Sequence, residues 1–229
     1  KEAIHSNQII AKIMVEAASK AMPEFPVNAV QVVPTTDRAA IPVLLSLTRD
    51  VDLCIPRGGE SLIRAVTECS HVPVIKHYKG VCHVYIDADA DAAMAEEIVF
   101  NSKVHRPGVC NAAETLLVDK SVATDVLPRL AKRLAKANVE LRGDKPTQAL
   151  LDGSGVEVTP ASAADWDEEY LDLVLSVKIV DGVGEAIEHI NTHGSGHTET
   201  IVTGNESTAK RFQVEVDSST IFWNASTRF

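Results

Sequence analysis

The chain has 229 residues, with 22 Lys+Arg against 32 Asp+Glu and a formal net charge of −10. Hydrophobic residues make up 45% and charged residues 24%, a globular balance that excludes a disordered chain. The acidic excess excludes a broad nucleic-acid-binding face, which needs clustered Lys and Arg, and the apolar runs, such as Ile41–Leu45, are too short to span a bilayer. Aromatics are only 4%, so the core rests on Val, Ile, Leu and Ala. In short runs between helical segments, those residues favour buried parallel strands.

The predicted elements alternate between helix and strand. Ile9, Ile10, Ile13, Met14 and Ala17 set an amphipathic helix over residues 4–21, ended by Pro23 and Pro26. Val30–Val33 reads as a strand, and Asp37 as the cap of a helix to Leu47 with Pro42 inside it. Val51–Ile55 reads as a strand, Ser61–Cys69 as a helix burying Leu62, Ile63 and Val66, and Val72–Lys76 as a strand. Cys82–Asp87 is a further strand, and the acidic turn Asp87–Asp91 opens a helix to about Phe100. Lys103–Asn111 is a loop and Thr115–Val118 a strand; Leu127, Leu130 and Leu134 mark the next helix. Val139–Leu141 is a strand, and residues 149–165 read as polar and irregular. Strand Val174–Val180, helix Val183–His193, strand Thr200–Thr203, helix Ser207–Val214 and strand Thr220–Trp223 complete the pattern. This is the grammar of an α/β protein with mainly parallel sheets. The seam is expected near Asp87–Asp91, giving two α/β lobes, residues 1–90 and 91–229.

Four cysteines, Cys54, Cys69, Cys82 and Cys110, form no CxxC pair and sit in apolar sequence, as expected for reduced cytosolic thiols without a metal. His193 and His197 are four apart but enclose two glycines, so they are not a helical metal pair. Cys110 stands apart, since Lys103, His105 and Arg106 precede it in one loop. Cations near a thiol raise its thiolate fraction, which makes a nucleophile, and a backbone N–H at that position can bind an oxyanion. The alternative is a structural thiol beside a loop. Arg57-Gly58-Gly59 lies between a strand and a helix, where a phosphate can meet backbone N–H groups. Lys76-His77-Tyr78-Lys79 leaves a strand at the edge where open parallel sheets bind ligands, and is otherwise a solvated basic loop. The acidic run Asp165–Asp172 reads as solvated surface.

The segment Lys103–Val118, Lys-Val-His-Arg-Pro-Gly-Val-Cys-Asn-Ala-Ala-Glu-Thr-Leu-Leu-Val, closely resembles the active-site segment of gamma-glutamyl phosphate reductases. These are also called glutamate-5-semialdehyde dehydrogenases, in the aldehyde dehydrogenase superfamily. The segments at Ile55–Gly59, Val72–Tyr78, Cys82–Asp91, His193–Thr198 and Asn224–Phe229 agree in order. The resemblance implies an aldehyde dehydrogenase-like fold with a Rossmann-like nucleotide lobe, here incomplete, and a catalytic lobe ending near the hinge and oligomerisation region. It implies NADPH as cofactor, L-glutamyl 5-phosphate as substrate, glutamate 5-kinase as pathway neighbour, a homo-oligomer and a role in proline biosynthesis. It extends to the reductase domain of bifunctional pyrroline-5-carboxylate synthases. Family members are nearly twice as long, and with Lys1 at the start and Phe229 inside a motif, the chain is expected to be a fragment.

By resemblance Cys110 is the nucleophile. Arg57, Gly58 and Gly59 fall where a glycine turn approaches the cofactor, and Glu169 where a Glu-x-Phe motif holds the nicotinamide ribose; here that segment reads Glu168-Glu169-Tyr170 without the Phe. Lys76, Lys103, His105, Arg106, Asn111 and Arg228 are the candidates for the substrate and its phosphate. Oxidising relatives carry a Glu general base at the turn that here reads His77-Tyr78-Lys79-Gly80. Residues 69–86 contain no Asp or Glu, which suits a reductase that must shield its thioester from water. The competing readings are an inactive fragment acting as a folding or oligomerisation module, and a cysteine hydrolase pairing Cys110 with His105.

Overall fold

A computed structural model describes residues 3–228; Lys1, Glu2 and Phe229 lie outside the described residues. The chain divides into two compact units, Lys1–His77 and Tyr78–Phe229. The boundary therefore falls before the strand at Cys82, not at residue 90. That strand pairs in parallel with two strands of the second unit, which is why it belongs there.

In the first unit, α1 (Ile4–Ala21), α2 (Ala40–Leu45) and α3 (Glu60–Cys69) form as helices. The start of α2 is later than Asp37 because Pro42 falls in its first turn, where a missing N–H costs nothing. Leu45, Val66 and Val72 form a small core, with Ile41, Val51, Cys54, Leu62 and Val74 against it. The expected strands at Val51–Ile55 and Val72–Lys76 reduce to one parallel bridge, Cys54 to Val74, and Val30–Val33 makes no strand. A strand needs bonded neighbours, and a lone parallel pair gains too little to extend. No residue of α1 is buried, and Ile9, Ile10, Ile13 and Met14 are each more than half exposed.

The second unit is a seven-stranded sheet in the order β4-β3-β5-β2-β1-β6-β7. Its strands are β1 (Cys82–Ile86), β2 (Ala113–Asp119), β3 (Glu140–Gly143), β4 (Val158–Pro160), β5 (Val174–Val180), β6 (Thr198–Val202) and β7 (Thr220–Trp223), and all six pairings are parallel. The helices are α4 (Ala92–Val104), α5 (Lys120–Lys136), α6 (Lys145–Leu151), α7 (Gly182–His193) and α8 (Glu206–Glu215). Side-chain alternation along the strands splits the core into two layers. Val84, Ile86, Leu116 and Val118 pack with Val99, Leu127, Leu130 and Leu134 of α4 and α5. Tyr85, Leu117 and Ile201 face Ala186, Ile190 and Phe212 of α7 and α8. β1, β2 and β6 are buried along their whole length, as central strands of a parallel sheet covered on both faces are, and they carry His83, Glu114 and Glu199 into the interior with them.

Caps set the helix starts. Asp91 Oδ1 accepts from the Met94 N–H at 2.7 Å, Asp119 Oδ1 from Ser121 at 2.8 Å, and Asn205 Oδ1 from Ser207 at 3.0 Å. The stretch 149–165 is not irregular throughout: α6 runs into it, and β4 and a 3-10 turn at Ala163–Asp167 form along it, separated by turn and loop residues. Asp144 caps α6 through the Thr147 N–H at 2.9 Å, with Pro146 in its first turn. We expect Leu130→Ala, at a site with no solvent exposure, to cost about 2–5 kcal/mol in urea unfolding. Ile13→Ala on exposed α1 should change stability by less than about 0.5 kcal/mol.

Candidate active site

Parallel strands all begin at one edge of their sheet, so the loops entering β1, β2, β5 and β6 gather there. Cys110 sits on the loop into β2, at the tip of a turn closed by the Ala112 N–H donating to the Val109 carbonyl at 3.0 Å. It is the exposed cysteine; Cys82 is buried, and Cys54 and Cys69 are half-buried. His105 and Arg106, on the same loop, are exposed, while Asn111 behind the thiol is buried.

The turn before β1 lies directly against this loop. A Cβ on Gly80 would collide with the Cys110 carbonyl, so only glycine fits there. The Gly80 N–H donates to Glu169 Oε1 at 2.8 Å, and the Val81 N–H to Ser195 Oγ at 2.9 Å. Cys82 Sγ donates to the Cys110 carbonyl at 3.3 Å. Burial, helped by Glu199, pushes the Cys82 thiol well above its ordinary value, so it stays protonated as that donor. Gly80 and Cys82 thus support the Cys110 backbone, and Ser195 holds Val81 between them. They lay in segments the sequence singled out, but nothing local marked them as contacts across 28 to 114 residues.

Lys103 does not face solvent. Its Nζ lies 2.6 Å from Glu114 Oε2, and both side chains are wholly buried. An ammonium enclosed in the core cannot reach a substrate phosphate, which removes Lys103 from that role. Burial drives the Glu114 carboxyl up to about 7 against the attraction of Lys103. The same burial lowers Lys103 against the attraction of Glu114. The acidic run 165–172 is likewise not all solvated: Asp165 is buried and accepts from Arg142 Nη1 at 2.6 Å and Tyr170 Oη at 2.9 Å. Burial alone would raise its pKa, but hydrogen bonds from Ser162 and Arg142 hold it well below the usual carboxylate range. Arg228 is half-buried; its N–H donates to Ser226 Oγ at 3.0 Å, and its Nε has no partner among the described residues. His193 Nδ1 lies 2.8 Å from Asp167 Oδ1 and His197 Nδ1 2.7 Å from Thr198 Oγ1; among the described residues no group of three or more His, Cys, Asp or Glu is placed to hold a metal.

In the first unit, Arg57 lines a cavity of about 450 Å³ with Arg38, Thr35, Thr36 and Asp37. Gly59 is the N-cap residue of α3, with open space where a Cβ would lie. Gly58 has φ 154°, and a Cβ there would meet Leu62 Cδ2 at 2.6 Å. Two guanidiniums beside an uncluttered helix N-terminus suit a phosphate-bearing ligand. Sequence reasoning missed Arg38, although Thr35-Thr-Asp-Arg38 directly precedes a helix. Lys76 is exposed in this unit.

The family model for the aldehyde dehydrogenase family matches residues 2–150. The chain belongs to this family. Curated gamma-glutamyl phosphate reductases of Desulfatibacillum aliphaticivorans and Geobacter metallireducens are each 52% identical to it, over 100% of this chain and 53% of their own length. The crystal structure of gamma-glutamyl phosphate reductase from Thermotoga maritima superposes with a TM-score of 0.91 at 40% identity, covering 99% of this chain and 53% of that one. The glyceraldehyde-3-phosphate dehydrogenase GapN of Methanocaldococcus jannaschii, 15% identical with a TM-score of 0.71 over 96% of this chain and 55% of that one, shares the fold. This aldehyde dehydrogenase chain spans about half the length of the curated relatives it matches.

Two outcomes check the geometry. Gly80→Ala should lose about 1–3 kcal/mol in urea unfolding as the Cys110 turn gives way, whereas Gly59→Ala should lose less than about 0.5 kcal/mol. Glu114 binds its proton more tightly when folded, so its contribution to stability falls as pH rises from 4.5 to about 7. Unfolding measured across that window should show this slope in the native chain and lose it in Glu114→Gln.

Proposed function

We propose that the polypeptide carrying this chain reduces L-glutamyl 5-phosphate to L-glutamate 5-semialdehyde and phosphate through a thioester on Cys110. The observation that carries the reading is Cys110 itself. It is the exposed thiol, on a turn braced by Gly80 and Cys82, in a chain 52% identical along its length to curated reductases.

The Cys110 thiolate attacks the acyl carbon, forming the C–S bond, and the carbonyl π electrons move to oxygen. Backbone donors at the turn stabilise that oxyanion. Its collapse breaks the C–O bond to phosphate, which leaves as the dianion and needs cations more than a proton. His105 and Arg106, solvent-facing on the same loop, are the foremost of these; Lys76, Asn111 and Arg228 complete the candidate set. NADPH, when bound, supplies the hydride that reduces the thioester, and Cys110 then departs as thiolate. No carboxylate in residues 69–86 is present to activate water, and Glu169 is engaged with the Gly80 N–H, so the thioester is spared hydrolysis. For the cofactor, Arg57 and Arg38 with the turn at Gly58 and Gly59 would take phosphate, and Glu169 the nicotinamide ribose.

The same reading makes a glutamate 5-kinase the source of the substrate, and places a homo-oligomeric enzyme in the cytoplasm. The unpaired thiols support that compartment, and no described helix is long and apolar enough to cross a membrane. The test is Cys110→Ser in the full polypeptide, assayed by phosphate-dependent reduction of NADP with glutamate 5-semialdehyde. Turnover should fall by at least about 1,000-fold, as when a covalent nucleophile is removed; turnover within about tenfold of the parent would sink the assignment.

A further inference from the structure

The loop that presents Cys110 is closed at its ends by two charges with no access to water. Lys103 lies in the last turn of α4 and Glu114 at the second position of β2, eleven residues on, with 2.6 Å between Nζ and Oε2. Taking both charges out of water is costly, and apolar side chains of similar volume could staple the loop at lower cost. The charges do more than fill space. The second oxygen of Glu114 accepts from the Leu171 N–H at 3.3 Å. Leu171 has φ 53°, a conformation that a leucine seldom adopts unaided. Lys103 Nζ lies 5.9 Å from the centroid of the Tyr170 ring, so both members of the pair touch the segment 170–171.

Beside that segment, Glu169 accepts the Gly80 N–H at 2.8 Å, and Gly80 packs against the Cys110 carbonyl. The contacts close a circuit from the Cys110 loop through Glu114, Leu171, Glu169 and Gly80 back to Cys110. We propose that Lys103 and Glu114 are a positioning pair that fixes the Cys110 thiol and the Glu169 carboxylate in one register. The role rests on the reductase reading, in which the thiol carries the acyl group and Glu169 orients the cofactor. An apolar staple could hold the loop but could not hold the 169–171 segment to it, because it offers no acceptor to the Leu171 N–H.

The decisive variant is Lys103→Met with Glu114→Leu, which keeps the volume and removes both charges. It should retain a thermal midpoint near that of the parent, as buried pairs replaced by apolar residues commonly do. The Leu171 and Gly80 amides should nevertheless exchange at least about tenfold faster, with the amides of β1 and β5 unchanged. In the full polypeptide kcat should fall by about 10–100-fold with KM for the acyl substrate little changed. Parental exchange at both amides, or parental kcat, would overturn the pair's positioning role. If the double variant does not fold, Glu114→Gln serves, with loss of kcat at constant KM supporting the proposal and parental kcat refuting it. The exchange measurement involves no reaction, so its outcome is separable from the fate of the reductase reading, which Cys110→Ser decides.

Discussion

Parallel strands impose a common direction, and in this chain that single constraint decides which loops share an edge. All pairings of the seven-stranded sheet are parallel, so the segments that enter β1, β2, β5 and β6 emerge on the same edge. One of them carries Cys110, one Gly80, one Glu169 and one Ser195. Backbone packing of Gly80 on Cys110 then sets two of these loops directly against each other. The opposite edge is organised differently: Tyr85 Oη donates to Asp87 Oδ1 at 3.1 Å and Thr203 Oγ1 to Asp87 Oδ2 at 2.7 Å, tying the ends of β1 and β6.

Buried polar groups in the second unit occur at both edges of the sheet. His83 and Glu199, on neighbouring strands β1 and β6, are wholly buried 3.0 Å apart. Burial raises the Glu199 carboxyl, opposed by His83. Lys103–Glu114 is a second wholly buried pair, whereas Arg142–Asp165 is only partly enclosed, with the Arg142 side chain about one-third exposed. Such an interior is expensive, and it gains in directional holding what it loses in transfer free energy.

The sequence disclosed those features that depend on local pattern. Val174–Val180, Thr220–Trp223 and residues 4–21 were readable to the residue, because alternation, helical period and proline stops act over a few positions. Cys110 stood out for a similar reason, as a thiol with cations on one short loop, and the structure leaves it exposed. Lys103 misled for that very reason: proximity in sequence to Cys110 suggested a phosphate ligand, while the fold turns it inward to a carboxylate eleven residues away. Glu169 and Gly80 are 89 residues apart, and no local rule pairs them. The strands expected in the first unit were apolar enough, but strand formation depends on neighbours, and only Cys54 and Val74 find each other. The start of α6 was missed although Asp144 and Pro146 spell a helix N-terminus, a local signal masked by the polar stretch behind it.

The central claim is that Cys110, and no other thiol of this chain, accepts the acyl group. It is tested most directly by mixing the polypeptide with L-glutamyl 5-phosphate in the absence of NADPH, quenching in acid and mapping the peptides by mass. The account predicts a glutamyl adduct on the peptide containing Cys110, removable by hydroxylamine, with Cys54, Cys69 and Cys82 unmodified. An adduct on any of those three with Cys110 free would contradict it.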